Sequence, residues 1–89
     1  MTSASQALEA DLTDLLERRT KIPVAPDADL FELGVVSSLF AMELVVHLES
    51  TYDIAIVGPD LVMENFRSVQ AMAALVRRIQ DRVGAGTGV

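Results

Sequence analysis

An all-α fold, a four-helix bundle of three main helices and one short helix with a long first loop, is what three observations predict. Apolar residues recur at spacings of three and four in three separate stretches, and Pro and Gly cluster between the first two. The one segment with strand-like alternation has no partner strand elsewhere in the chain. A chain of 89 residues is one small domain whose core is modest but sufficient for a helical bundle. The domain is expected over residues 1–83, with residues 84–89 as a disordered tail.

The first helix begins near Ser3, with Gln6 three residues later as a capping box, and repeats Leu8, Leu12, Leu15 and Leu16 on one stripe. Asp11 and Asp14 fall on its outer side, and Arg18 and Arg19 suit the dipole at its end. Between Lys21 and Ser37 the pattern breaks: Pro23 and Pro26 oppose helix and Gly34 permits a turn. Ile22, Val24, Leu30, Phe31 and Leu33 are the apolar anchors expected to pack this loop across the bundle. The second helix, from Ser38 to about Glu49, turns Ala41, Leu44, Val45 and Leu48 inward. Leu39, Met42 and Val46 fall on another side of it, interleaved with Glu43 and Glu49. Since a short helix in a small domain buries one face, the second reads as a surface that partners touch.

Residues 51–57 alternate and are rich in β-branched side chains, but Gly58-Pro59 ends them at once. An extended loop that lays Ile54 and Ile56 on the core meets the same pattern. Asp60 to Asn65 can form one or two helical turns, with Met63 in the core. The last helix starts after Ser68 as N-cap and repeats Val69, Met72, Val76, Ile79 and Val83.

Charge and composition narrow the function. The net charge is −6, and the span from Ile22 to Phe66 holds Asp27, Asp29, Glu32, Glu43, Glu49, Asp53, Asp60 and Glu64 with no Lys or Arg. Such a field repels nucleic acid and attracts enzymes with basic patches. Cysteine is absent, which removes disulfides, zinc-thiolate sites and thiol nucleophiles. No leader-like or membrane-length apolar run is present, so a soluble, cytoplasmic, monomeric protein that starts almost at its first helix is expected, with no membrane partner. His47 is the one histidine and reads as packed or solvent-facing rather than as an acid/base. Asp27 and Asp29, in a Pro-containing loop, read as a solvated turn rather than a metal pair. No metal site and no catalytic constellation is predicted.

The segment Phe31-Glu32-Leu33-Gly34-Val35-Val36-Ser37-Ser38-Leu39-Phe40-Ala41-Met42-Glu43-Leu44 resembles the prosthetic-group segment of the acyl carrier and peptidyl carrier protein family, whose pattern is roughly Gly-x-x-(x)-Asp-Ser-Leu-x-x-x-Glu-Leu. The resemblance continues through Tyr52-Asp53-Ile54 and Glu64-Asn65-Phe66-Arg67-Ser68-Val69, and covers about residues 5–82. It implies an acyl-carrier-protein-like bundle with covalent 4'-phosphopantetheine, donated by coenzyme A, on Ser38. The family's aspartate before the modified serine is Ser37 here, so two serines compete. Register favours Ser38, since Ser37 would displace the Leu39 and Glu43-Leu44 matches by one position. Leu39, Met42, Glu43, Val46 and Glu49 are then the partner-recognition surface.

By the same resemblance the chain is a discrete carrier of acyl or aminoacyl thioesters, in polyketide or nonribosomal peptide biosynthesis, and not an enzyme. Its partners are a phosphopantetheinyl transferase, an acyl- or aminoacyl-loading ligase, and acyltransferase or ketosynthase-type enzymes. Two alternatives stay open: a fatty-acid synthesis carrier, and a helical adaptor that binds partners through the same face without a prosthetic group. Ser37 or Ser38 as a plain N-cap is the simplest structural reading of either serine.

Overall fold

The structure, a computed structural model, describes residues 4–87 and the side chains of residues 6–82. Three α-helices, α1 (Ala4–Thr20), α2 (Ser38–Tyr52) and α3 (Val69–Thr87), pack around one core. Two one-turn 3₁₀ segments, Gly58–Asp60 and Met63–Phe66, stand where the short fourth helix is expected. Pro59 opens the first turn, and Val62, extended between the two (φ −123°, ψ 148°), separates them into single turns rather than a continuous helix. Residues 54–57 are extended without strand pairing, as the missing partner strand implies. No helix among the described residues is long and apolar enough to cross a membrane.

The helical periodicities translate directly into burial. Leu8, Leu12 and Leu16 of α1, Leu44, Val45 and Leu48 of α2, and Val69, Met72, Val76 and Ile79 of α3 all face the core. Leu75 and Ala73, outside the predicted stripe of α3, are buried as well because α3 is covered on more than one side. Each such leucine removed from water contributes about 1.5–3 kcal/mol before entropy is charged against it. Ser68 caps α3, its Oγ accepting from the Ala71 N–H at 3.0 Å. α2 runs past Glu49 to Tyr52 and stops at Asp53, which adopts the left-handed conformation (φ 54°, ψ 52°). The capping box at Ser3 and the side chain of Val83 lie outside the described residues.

Three expectations need correction. Ile22 and Leu33 do not anchor the first loop; they are exposed, and Val24, Leu30, Val35 and Val36 are buried in their place. The reason is a turn at Asp29–Gly34 that folds back so that the N–H groups of Val35 and Val36 both donate to the Leu30 carbonyl, at 3.0 and 3.1 Å. Met63 is exposed rather than in the core, because Phe66, three residues on, takes the core position of that turn. Finally, α3 continues through residues 84–87, which the sequence assigns to the tail. Extending an existing helix costs only the propensity of each added residue, about 1 kcal/mol for a glycine.

The first loop is tied down by polar contacts as well. Leu30 N–H donates to the Arg67 carbonyl at 2.7 Å, and Gln70 N–H to the Pro26 carbonyl at 3.0 Å. Asp29 accepts from the Glu32 N–H at 3.0 Å and pairs with Arg67 at 3.0 Å. The Glu32 N–H first, and the Arg67 charge with it, hold the Asp29 carboxyl below its ordinary value. A carboxylate shifted this way stabilises the fold above its unfolded pKa of about 3.9, and that contribution disappears as pH falls through the lower folded value. Asp29→Asn is therefore expected to be less stable than the parent near neutrality. Urea melts across the acid range should show the gap closing below about pH 4; a gap independent of pH would exclude the ion pair as its source.

Candidate functional site

The site is the junction between the first loop and α2. Gly34 takes φ +75°, a conformation costly to residues with a Cβ, and this reverses the chain toward the bundle. Val35 and Val36 then plug the core and bring Ser37 to the start of α2. Ser37 is extended (φ −94°, ψ 172°), and its Oγ accepts from the Phe40 N–H at 3.2 Å while its carbonyl accepts from Ala41 N–H at 2.8 Å. Ser37 is therefore the N-cap, a role worth about 1 kcal/mol. Ser38, the first residue of the helix, is exposed. A hydroxyl there is open to an enzyme, beside a helix N-terminus whose polarity favours a phosphate.

Ser38 also borders an apolar groove of about 160 Å³. One wall is the flank of α2, with Ala41, Met42 and Val45; the other is the 3₁₀ region, with Leu61, Val62 and Met63; Phe31 and Phe66 close it. The far wall is held by α3: Arg82 pairs with Asp60 at 2.9 Å, Arg78 donates to the Asn65 side-chain oxygen at 3.1 Å, and Asn65 donates to the Asp60 carbonyl at 2.8 Å. Sequence reasoning missed this wall. The signal was present, since three successive apolar residues, Leu61-Val62-Met63, cannot all be buried by single turns of 3₁₀ helix.

The predicted recognition residues divide into two groups. Leu39, Met42 and Val46 are 75%, 56% and 65% exposed, an apolar face turned largely to solvent. The two carboxylates are engaged within the molecule. Glu43 pairs with Arg19 of α1 at 2.7 Å, and the guanidinium lies 5.0 Å from the centre of the Phe40 ring. Glu49 is half-buried and accepts from the Ile56 N–H at 2.9 Å, fixing the chain after α2. Asp29, Glu64 and Asp60 are likewise paired, with Arg67 or Arg82. Bases that lie outside the acidic span in sequence thus return to it in space, and the negative field around Ser38 is weaker than the sequence suggests. His47, half-buried, is in contact with Thr51 Oγ1 at 3.3 Å, a local helix interaction.

A family model described as "Phosphopantetheine attachment site" matches residues 10–76, most of the chain and the whole of this junction. The chain belongs to the phosphopantetheine-binding carrier family. This carrier is 35% identical over 65 residues to aminoacyl carrier protein 2 of Bradyrhizobium diazoefficiens, covering 73% of the carrier and 68% of that relative. It is 34% identical over 55 residues to the D-alanyl carrier protein of Lactococcus lactis, covering 62% and 70%. With the D-alanyl carrier protein of Streptococcus pyogenes the identity is 30% over 76 residues, covering 83% of the carrier and 96% of the relative. The carrier bears 4'-phosphopantetheine covalently, and the adaptor reading, which lacks the group, is set aside. An exposed serine hydroxyl at a helix start fits the attachment chemistry.

Proposed function

We propose that Ser38 bears the 4'-phosphopantetheine, and that the carrier presents an acyl or aminoacyl cargo to the loading and transfer enzymes of a polyketide or nonribosomal peptide pathway. The observation that carries the assignment is the division of labour between the two serines: Ser37 Oγ is spent on the Phe40 N–H, while Ser38 is exposed as the first helical residue. An amino acid is the favoured cargo, supported by the names of the aminoacyl and D-alanyl carriers to which the chain is similar.

In the attachment step Ser38 Oγ attacks the phosphorus of coenzyme A that carries the pantetheine. The bond from that phosphorus to adenosine 3',5'-bisphosphate breaks, the bisphosphate leaves, and the serine proton passes to a base of the phosphopantetheinyl transferase. Ser37 holds the first turn rigid, which fixes where Ser38 Oγ stands as the transferase approaches. When attached, the group supplies a thiol on a long arm, on which cargo is held as a thioester and offered to successive active sites at high effective concentration. The carrier itself orients and presents. Leu39, Met42 and Val46, beside Ser38, form the surface that transferase and ligase meet, in a cytoplasmic setting where coenzyme A is available.

The test is to incubate the carrier with coenzyme A and a broad-specificity phosphopantetheinyl transferase and to map the product. One pantetheinyl group is expected, and fragmentation of the tryptic peptide spanning residues 22–67 should place it on Ser38. Modification at Ser37 would move the register by one position. No addition to a folded sample would remove the assignment.

A further inference from the structure

We infer that Arg19 is a specificity-determining residue of this carrier, because it withholds the first carboxylate of α2, Glu43, from arriving enzymes. Docking beside Ser38 then depends on apolar contact more than on charge. The inference rests on Ser38 as the attachment residue. It starts from position: Glu43 stands on the same short helix as Ser38, next to exposed Met42, where a cation on an arriving enzyme would meet it. Arg19, from the last turn of α1, reaches that carboxylate first, at 2.7 Å.

The reach of Arg19 is set by how α1 ends. Thr20 Oγ1 donates to the Leu16 carbonyl at 2.7 Å, and Lys21 takes a left-handed conformation (φ 63°) with its N–H donating to the Glu17 carbonyl at 2.8 Å. The helix therefore stops just beyond Arg19. The guanidinium lies over the Phe40 ring, 5.0 Å from its centre, and Phe40 in turn packs against the core. A planar cation laid on a ring and hydrogen-bonded to a carboxylate is held in two ways at once, which a lysine does not match.

Nothing else on α2 replaces the withheld charge. The helix has two carboxylates, and the second, Glu49, is half-buried and accepts from the Ile56 N–H at 2.9 Å. Before Ser38 stands a neutral hydroxyl, Ser37 Oγ, spent on the Phe40 N–H. Among the described residues Arg19 is the one basic side chain paired with α2. What α2 leaves open on this side is Leu39, Met42 and Val46. An enzyme with an apolar docking patch loses nothing to the pair, whereas one that offers an arginine or lysine to Glu43 must first displace Arg19. Since the two side chains are 53% and 52% exposed, the pair opens readily, and it tunes the choice of enzyme without closing the site.

The experiment measures initial rates of pantetheinyl addition to the full chain by intact mass, with coenzyme A and a phosphopantetheinyl transferase whose docking patch is basic. Carrier concentration is varied at low and at high salt. Arg19→Gln is expected to lower the KM for the carrier about two- to fivefold at low salt, with kcat unchanged, and the gain should fade as salt is added. Arg18→Gln removes the same charge from a pair with Asp14 that lies on α1 alone, and should leave KM close to the parent's. Glu43→Gln should cost more in the Arg19→Gln background than in the parent, and Arg19→Lys should fall between parent and Arg19→Gln. An Arg19→Gln protein with the parent's KM, or an equal gain from Arg18→Gln, overturns the inference and leaves attachment at Ser38 standing. Failure of Ser38 to accept the group, in a folded parent, overturns the attachment reading and this inference with it.

Discussion

Ser38→Ala is expected to abolish pantetheinyl addition outright while leaving the fold unchanged, whereas Ser37→Ala should accept the group and melt earlier. The contrast follows from position. Ser38 is the first helical residue, exposed, with its side chain in none of the hydrogen bonds that hold the turn. Removing its hydroxyl deletes the proposed nucleophile and should change stability by no more than about 0.5 kcal/mol. Ser37 supplies the cap through Oγ at 3.2 Å from the Phe40 nitrogen. Losing it costs about 1 kcal/mol, which in a domain of this size lowers the melting temperature by about 4–8 °C. Intact mass and a thermal melt on both variants read the two effects separately. Equal modification of Ser38→Ala and the parent would mean that another hydroxyl carries the group.

The second large effect is in the core. Leu48→Ala is expected to destabilise the protein by about 2–5 kcal/mol, since Leu48 is fully buried, in one cluster with Leu12, Leu16 and Leu44. Small domains hold about 5–15 kcal/mol in total, so a shift of the melting temperature on the order of 15 °C should follow. Leu39→Ala is the matched control on the same helix. At 75% exposure it should stay within about 0.5 kcal/mol of the parent. A Leu48→Ala protein as stable as Leu39→Ala would contradict the packing of α2 described above.

The helices were readable because their signal is periodic and local. Leu8, Leu12 and Leu16, Leu44 and Leu48, and Val69, Met72, Val76 and Ile79 carry the spacing that a helix buried on one side demands, and all are buried. Caps were readable for the same reason, as Ser68 shows. Loop burial was not. Whether Leu33 or Val35 turns inward is decided by the Asp29–Gly34 turn and the two amides that converge on the Leu30 carbonyl, which no hydropathy pattern encodes. Charge was legible as a sum and not as a field. Nothing in the spacing of Arg19 and Glu43, or of Asp60 and Arg82, announces that they meet. At the candidate site, the serine pair and the face of Leu39, Met42 and Val46 were visible in sequence, but the groove needed the 3₁₀ segment brought against α2, a tertiary event.

The way the 58–66 region is fastened gives it a thermodynamic character of its own. Phe66 is its buried anchor, while much of the rest is secured by guanidinium contacts to Asp60, Glu64 and Asn65 at the surface. Bonds of that type fade as salt is added, whereas the leucine core between α1, α2 and α3 strengthens or holds. The region is thus expected to open as a separate unit, at a lower free energy than the bundle it leans on. Amide hydrogen exchange in residues 58–66 is then expected to track ionic strength while that of the three α-helices follows global unfolding, giving one small domain two stabilities that answer to different conditions.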